Sequence, residues 1–134
     1  MSWHSGEYLI QSSNIKKGVL MLRTINHLLR QQILSLIHEK KRITVTEIHK
    51  KFRIEQSVAS EHLALLRKEK FVYTERDGRF IFYSVNYDNL KKVHRLCEEL
   101  ISKKWSIGRR YLESKQATAI GILISLSFSL KAIL

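Results

Sequence analysis

Gln56, Ser57, Ser60, Glu61 and Arg67 fall along one side of a stretch whose other side is apolar, and each carries a group that hydrogen-bonds the edges of nucleobases. A glutamine amide pairs bidentately with adenine, a guanidinium reaches guanine or a phosphate, hydroxyls serve either, and a carboxylate accepts from the cytosine amino group. Glu61 selects in this way at some loss of general affinity, because it also repels phosphate. Thr46 is a further candidate donor upstream. Downstream, Arg76 and Arg79 flank Asp77-Gly78, and their guanidinium groups suit a minor groove or its phosphates. No glycine-rich phosphate loop, metal-ligand cluster or nucleophile paired with a base is present, so neither an enzyme nor a cofactor is expected.

Such residues act together only if short, well-oriented elements present them. Proline is absent, so helices run long and turns must be sought at charge clusters and isolated glycines. From Ile15 the apolar positions Val19, Leu22, Ile25 and Leu29 recur at helical steps, and Ile33, Leu34, Leu36 and Ile37 continue them. This predicts two helices with a bend near Asn26 and His27. After the polar cluster Glu39 to Arg42, Thr44-Val45-Thr46-Glu47 has the form of a capping box and opens a short helix that turns Val45, Ile48 and Phe52 inward. A second short helix follows Arg53-Ile54-Glu55 and runs from Gln56 to about Glu69. It buries Ala59, Leu63 and Leu66, with His62 beside them, and leaves Gln56, Ser57, Ser60, Glu61, Ala64 and Arg67 outside.

Phe71 to Glu75 and Arg79 to Val85, rich in aromatic and β-branched residues, predict a β-hairpin turning on Asp77-Gly78. A last helix carries Leu90, Val93, Leu96 or Cys97, Leu100 and Ile101 on one stripe, opposite Lys91, Lys92, Arg95 and Lys103. Two helices on a three-residue turn allow the second to enter a major groove about 12 Å wide. Helix, turn, helix and hairpin within some forty residues is therefore the arrangement that points to DNA.

Composition agrees. The 134 residues suit one domain, and a formal net charge of +12 favours polyanions, nucleic acid ahead of anionic membrane. A lone cysteine, Cys97, excludes a disulfide framework within the chain and fits a reducing, cytoplasmic setting. Met1 to Leu9 lacks the charged-then-apolar pattern of a secretory leader.

Leu29-Arg30-Gln31-Gln32-Ile33-Leu34, Thr44 to Ile48, Gln56 to Arg67 and Gly78-Arg79-Phe80-Ile81-Phe82-Tyr83-Ser84-Val85 together resemble the arsenic-repressor-like (ArsR) winged-helix family. The likeness covers about Ile15 to Lys104. It implies a mainly α fold with a small β-hairpin, a winged helix-turn-helix with helices at both ends forming a homodimer. It also implies two recognition helices about 34 Å apart on a near-palindromic operator, usually in a repressor released by a ligand. Val19, Leu22, Leu90, Val93, Cys97, Leu100 and Ile101 are the interface residues implied, although a stripe facing the protomer's own core accounts for those of the last helix equally.

The chain departs from the family at three points. Glu47-Ile48-His49-Lys50-Lys51 holds no cysteine pair for metal sensing, and Asp88, His94 and Glu98 do not form the Asp-x-His zinc motif of the last helix, so no metal is expected. His94 and Glu98 read as a solvated helical pair, and Cys97 as an inert core thiol. Where the family often places glycine before a new element, this chain has Arg53 and Lys70, so those turns either differ or hold a left-handed residue at about 1 kcal/mol each.

The expected organisation is an N-terminal arm (1–14), the winged helix-turn-helix with its dimerisation helices (15–104), and an extension (105–134) of open structure. Between Ile120 and Leu130 the even positions are apolar and serines alternate with them, a strand-like pattern, since a helix leaves serine on every face. A packed segment at the dimer, a membrane-associating tail helped by Arg109-Arg110 and Lys115, and an extension without a selected role all fit. Packing or disorder is favoured, because so short and serine-rich a segment gains little by insertion. The function expected is sequence-specific binding of double-stranded DNA by a homodimeric transcriptional repressor, with no membrane partner. The rival is a winged-helix interaction module that docks an acidic partner.

Overall fold

The computed structural model describes residues 12–102 and 117–134. The elements run α1 (Ser12–Ile25), α2 (Leu28–Lys40), β1 (Ile43–Thr44), α3 (Val45–Phe52), α4 (Gln56–Lys68), β2 (Val72–Asp77), β3 (Phe80–Val85), α5 (Tyr87–Ser102) and α6 (Ala117–Ile133). The expected segment around Arg109-Arg110 and Lys115 lies outside the described residues, as do the side chains of Leu100 and Ile101.

The bend at Asn26 and His27 separates α1 from α2 as the spacing predicts. It is held by side chains that the periodicity does not single out. Arg30, only 8% exposed, donates from its guanidinium to the carbonyls of Arg23 and Thr24, and Gln31 Nε2 donates to the Ile25 carbonyl at 2.9 Å. These carbonyls end α1 and have no helical partner of their own, so two residues of α2 cap the preceding helix.

The capping box of α3 is present in both directions. The Glu47 amide donates to Thr44 Oγ1 at 3.4 Å, and the Thr44 amide donates to Glu47 Oε2 at 2.9 Å. The backbone hydrogen bond from Thr44 and then that from its hydroxyl hold the Glu47 carboxyl below the usual carboxylate range.

Both helices of the helix-turn-helix close on a left-handed residue. Arg53 has φ 54°, with the Ile54 amide donating to the His49 carbonyl at 3.2 Å; Lys70 has φ 58°, with the Phe71 amide donating to the Leu66 carbonyl at 2.8 Å. These are Schellman closures without glycine, so the left-handed strain is present at Arg53 and Lys70; Lys41, after α2, also has a positive φ, 65°, but with ψ −40°. At the second closure, Asn86 Nδ2 and Asn89 Nδ2 donate to the Lys70 carbonyl at 2.8 and 2.9 Å, and the Asn86 amide donates to the Phe71 carbonyl at 2.9 Å. The end of α4, the base of the hairpin and the start of α5 are thereby tied at one point.

The hairpin departs from expectation in its turn. Asp77 pairs with Phe80, so the two-residue loop is Gly78-Arg79 rather than Asp77-Gly78. Gly78 alone takes a positive φ, 60°, which is the requirement at the first loop position of a type II′ turn. The sheet also has a third strand that the sequence pattern did not suggest. β1 pairs antiparallel with β3, Ile43 opposite Tyr83 and Thr44 opposite Phe82, giving the order β1-β3-β2. Two residues are too few for a period to register, and only the partner strand defines them as a strand.

The core gathers Ile33, Leu34 and Ile37 of α2, Ile48 of α3, Ala59, Leu63 and Leu66 of α4, Phe71, Val72 and Val85 at the hairpin base, and Leu90, Val93 and Cys97 of α5. His38 Nδ1 lies 2.9 Å from the Tyr87 hydroxyl and links α2 to α5.

The strand-like reading of 120–130 is overturned, because Ala117–Ile133 is a helix packed on α5 and, less extensively, on α2. Leu126, Leu130 and Ile133, spaced four and three residues apart, form its buried stripe at 2%, 1% and 4% exposure. The even spacing of apolar residues satisfied a two-residue period only by coincidence with part of this helical stripe. Ser125 is exposed, and Ile124 and Phe128 remain apolar and exposed on the outer side. Among the described residues no helix is long and apolar enough to cross a membrane.

Candidate nucleic-acid interface

The outward face of α4 is the predicted one. Gln56, Ser57, Ser60, Glu61, Ala64 and Arg67 are exposed, while Ala59, Leu63 and Leu66 are fully buried against the core. The inner stripe fixes the helix's rotation, so the polar side chains project as one set. Ser57 Oγ donates to Glu55 Oε2 at 3.4 Å, a weak local contact that leaves its oxygen free to accept. Thr46 is half-buried in the first turn of α3. Arg76 and Arg79 are exposed at the hairpin end, where Arg76 Nε donates to the Gly78 carbonyl at 3.4 Å and Arg79 occupies the loop itself.

Helix α4 is seated on a basic and imidazole cluster. Arg30 Nη1 lies 3.4 Å from His62 Nδ1, and the His62 and His27 rings are 4.9 Å apart. A guanidinium only donates, so His62 Nδ1 is the acceptor and its proton resides on Nε2. Burial first, then the nearby His27 and Arg30, push the His62 pKa down, opposed by Glu61.

The sign of the pH effect follows from linkage. Below an ordinary histidine pKa of about 6.5 the unfolded chain takes a proton that the folded His62 refuses, so stability present above that pH is lost as pH falls through the lowered value. His62→Gln, which still accepts from Arg30, is expected to shrink the drop in thermal midpoint between about pH 7.5 and about pH 5. An equal drop in the variant would show that His62 is not the group responsible.

Sequence reasoning passed over several charged positions here. Lys50, Lys51 and Arg53 are exposed around the turn between α3 and α4 and add positive charge beside the outer face of α4. Arg42, taken as part of a pattern-breaking charge cluster, lies across the sheet with its Cζ 3.7 Å from the Phe82 ring centroid. Its alternation with buried Ile43 was the available signal, but it means nothing until β1 is recognised as a strand.

The implied interface residues divide. Val19 is 51% exposed on α1, beside Leu20 at 47%, and Leu22 is half-buried. Leu90, Val93 and Cys97, at 0%, 2% and 0%, are buried within the protomer in a core cluster that also holds Leu126, Leu130 and Ile133 of α6. They offer a second chain nothing to cover while α6 is in place. Burial pushes the Cys97 thiol pKa up, the opposite of what a reactive thiol needs. His94 Nε2 is 3.2 Å from Glu98 Oε1, the expected i, i+4 pair, but only its Glu98 side is solvated: the His94 side chain is 16% exposed and its Nδ1 is buried without a hydrogen-bond partner among the described residues. Among the described residues no group of three or more His, Cys, Asp or Glu side chains gathers into a potential metal site.

The arrangement has clear relatives. The profile described as "Bacterial regulatory protein, arsR family" matches residues 29–74, from α2 into β2. The transcriptional activator HlyU of Vibrio cholerae is 29% identical over 87 residues, 65% of this chain and 80% of HlyU. The structure of reduced HlyU superposes with a TM-score of 0.54 at 25% identity, covering 71% of this chain and 99% of that one. The crystal structure of the transcriptional repressor PagR of Bacillus anthracis gives a TM-score of 0.52 at 27% identity, covering 67% of this chain and 99% of that one. An uncharacterized HTH-type transcriptional regulator of Methanocaldococcus jannaschii is 31% identical over 71 residues, 53% of this chain and 80% of its own length. Taken with the exposed helix α4 and its flanking hairpin, these likenesses identify the chain as a member of the arsR family of bacterial regulatory proteins, a winged helix-turn-helix transcriptional regulator and not an enzyme.

Proposed function

We propose that this regulator reads duplex DNA as a homodimer in the cytoplasm, with α4 in the major groove and the hairpin wing on the flanking minor groove or its phosphates. The observation that carries the reading is the division of α4 into a fully buried stripe and an outer face of base-pairing side chains. Gln56, Ser57, Ser60, Glu61 and Arg67 take the base edges and adjacent phosphates, Thr46 supports from α3, and Arg76 and Arg79 act from the wing. The exposed Val19 and Leu20 of α1 give a second copy an apolar surface to cover. Two-fold pairing then sets the recognition helices about one DNA turn apart on a palindromic operator. Repression by occupying that operator is the mode proposed.

The test is selection of bound duplexes from a random pool, followed by titration of variants. Arg79→Ala should weaken every sequence about tenfold and lower the salt slope by about one. Gln56→Ala should lose about 1–3 kcal/mol of discrimination at one position per half-site and leave the others unchanged. If neither variant alters binding, the assigned faces are wrong. Absence of salt-sensitive duplex binding would favour the docking of an acidic protein partner instead.

A further inference from the structure

The wing's arginines are not its only charges. The hairpin from Val72 to Val85 contains Glu75 and Asp77 as well as Arg76 and Arg79, so by itself it carries no net charge with which to approach phosphate. Cross-strand pairing sets Glu75 opposite Phe82 and Asp77 opposite Phe80 on one face, and Arg76 opposite Ile81 on the other. Asp77 nonetheless stands next to Arg76 and two residues before Arg79 in the chain, so its carboxylate adds negative charge at the tip where the arginines lie.

Arg42 meets both carboxylates. From the position just before β1 its side chain crosses the middle strand β3, stacks over Phe82, and reaches β2 beyond it. There Nη2 donates to Asp77 Oδ2 at 3.1 Å and Nε lies 3.6 Å from Glu75 Oε2. The flat guanidinium serves the ring and two separate carboxylates at once, which a lysine ammonium, a compact point charge, does not. The side chains of Arg42, Glu75 and Asp77 are 43%, 73% and 65% exposed, so these contacts add little to stability. Their consequence is electrostatic: the assembled wing carries a net positive charge, and its two carboxylates are occupied on the face away from Arg76.

We infer that Arg42 is a positioning residue for DNA binding, a charge clamp that takes up Glu75 and Asp77 so that Arg76 and Arg79 are left to meet phosphate. The inference rests on the proposed DNA reading and deepens it. Arg42 need not touch DNA; it acts through the wing.

The experiment compares the full chain with Arg42→Ala, with Glu75→Gln/Asp77→Asn, and with all three changes together, by fluorescence anisotropy on a selected duplex and an unrelated one across a salt series. Glutamine and asparagine match Glu75 and Asp77 in shape and remove only the charge, so the neutral variants keep the fold, and thermal midpoints verify this. Arg42→Ala is expected to lose about tenfold on both duplexes and about one unit of salt slope. The triple variant should bind within about threefold of Glu75→Gln/Asp77→Asn, because without the carboxylates there is nothing left to clamp. Unchanged binding by Arg42→Ala, or a triple variant as weak as Arg42→Ala, overturns the clamp. The first result in a protein whose binding still falls with Arg79→Ala sinks the clamp alone, whereas loss of all salt-sensitive duplex binding in the wild type removes the DNA reading first.

Discussion

Arg30→Met is expected to lower the free energy of unfolding by about 3 kcal/mol and the thermal midpoint by about 10 °C. Methionine keeps most of the buried volume, so the loss is one of hydrogen bonding rather than packing. Arg30 donates to the Arg23 and Thr24 carbonyls at the end of α1 and approaches His62 Nδ1 in α4, and it is 8% exposed. Without it those carbonyls and the imidazole face each other with no donor between them, and each buried polar group left unpaired costs about 1–3 kcal/mol. Against a total stability of about 5–15 kcal/mol that is a large share. The guanidinium is itself partly desolvated, which pulls its pKa down, so the native interaction is worth less than the number of its hydrogen bonds suggests. Chemical denaturation with intact far-UV circular dichroism in the baseline measures the difference. A loss below about 1 kcal/mol would mean that water replaces the guanidinium at the end of α1.

Leu130→Asp is expected to detach α6 and to raise the reactivity of Cys97 toward an aromatic disulfide by about 100-fold or more. Leu130 is 1% exposed, within a stripe with Leu126 and Ile133, and a carboxylate placed there is severed from water inside an apolar cluster. Each fully buried leucine or isoleucine contributes about 1.5–3 kcal/mol, so the contact of α6 with α5 and α2 depends on few side chains. Once it opens, Cys97 passes from 0% exposure to solvent, and its thiol pKa, raised by burial, returns toward the ordinary value. More thiolate and freer access act in the same direction. Because Cys97 is the chain's single cysteine, the reagent reports one position. Phe128→Asp, on the outer side of the same helix at 75% exposure, is the control that should leave Cys97 protected. If Leu130→Asp leaves the thiol equally slow, α6 is not what covers it. The same pair of variants bears on assembly, since opening α6 would make Leu90 and Val93 available to a second chain.

The local elements of the recognition unit were legible because each is encoded over a window long enough to show a period or by a residue with a single conformational use. Ala59, Leu63 and Leu66 mark one face of α4 and leave the other to polar groups, the Thr44 and Glu47 side chains cap each other three residues apart, and Gly78 supplies the positive φ that the hairpin requires. What depended on a partner was misread or invisible. The two-residue strand β1 exists only through β3, and the hairpin loop shifted by one position because cross-strand pairing, not the identity of the Asp77-Gly78 pair, sets the register. The alternating serines of 120–130 imitated a strand because a helix packed along a narrow stripe tolerates serine elsewhere.

The sequence by itself determined that this chain is a basic winged helix-turn-helix regulator and which side chains α4 turns outward, since both follow from near-neighbour spacing and from charge. Only the tertiary structure decided that Arg30 closes α1 onto α4, that Arg42 neutralises the wing's carboxylates, and that α6 packs with the α5 stripe otherwise available to a partner. Each of these joins residues far apart in the chain, and such contacts are selected by the geometry of the assembled core, which no local period records.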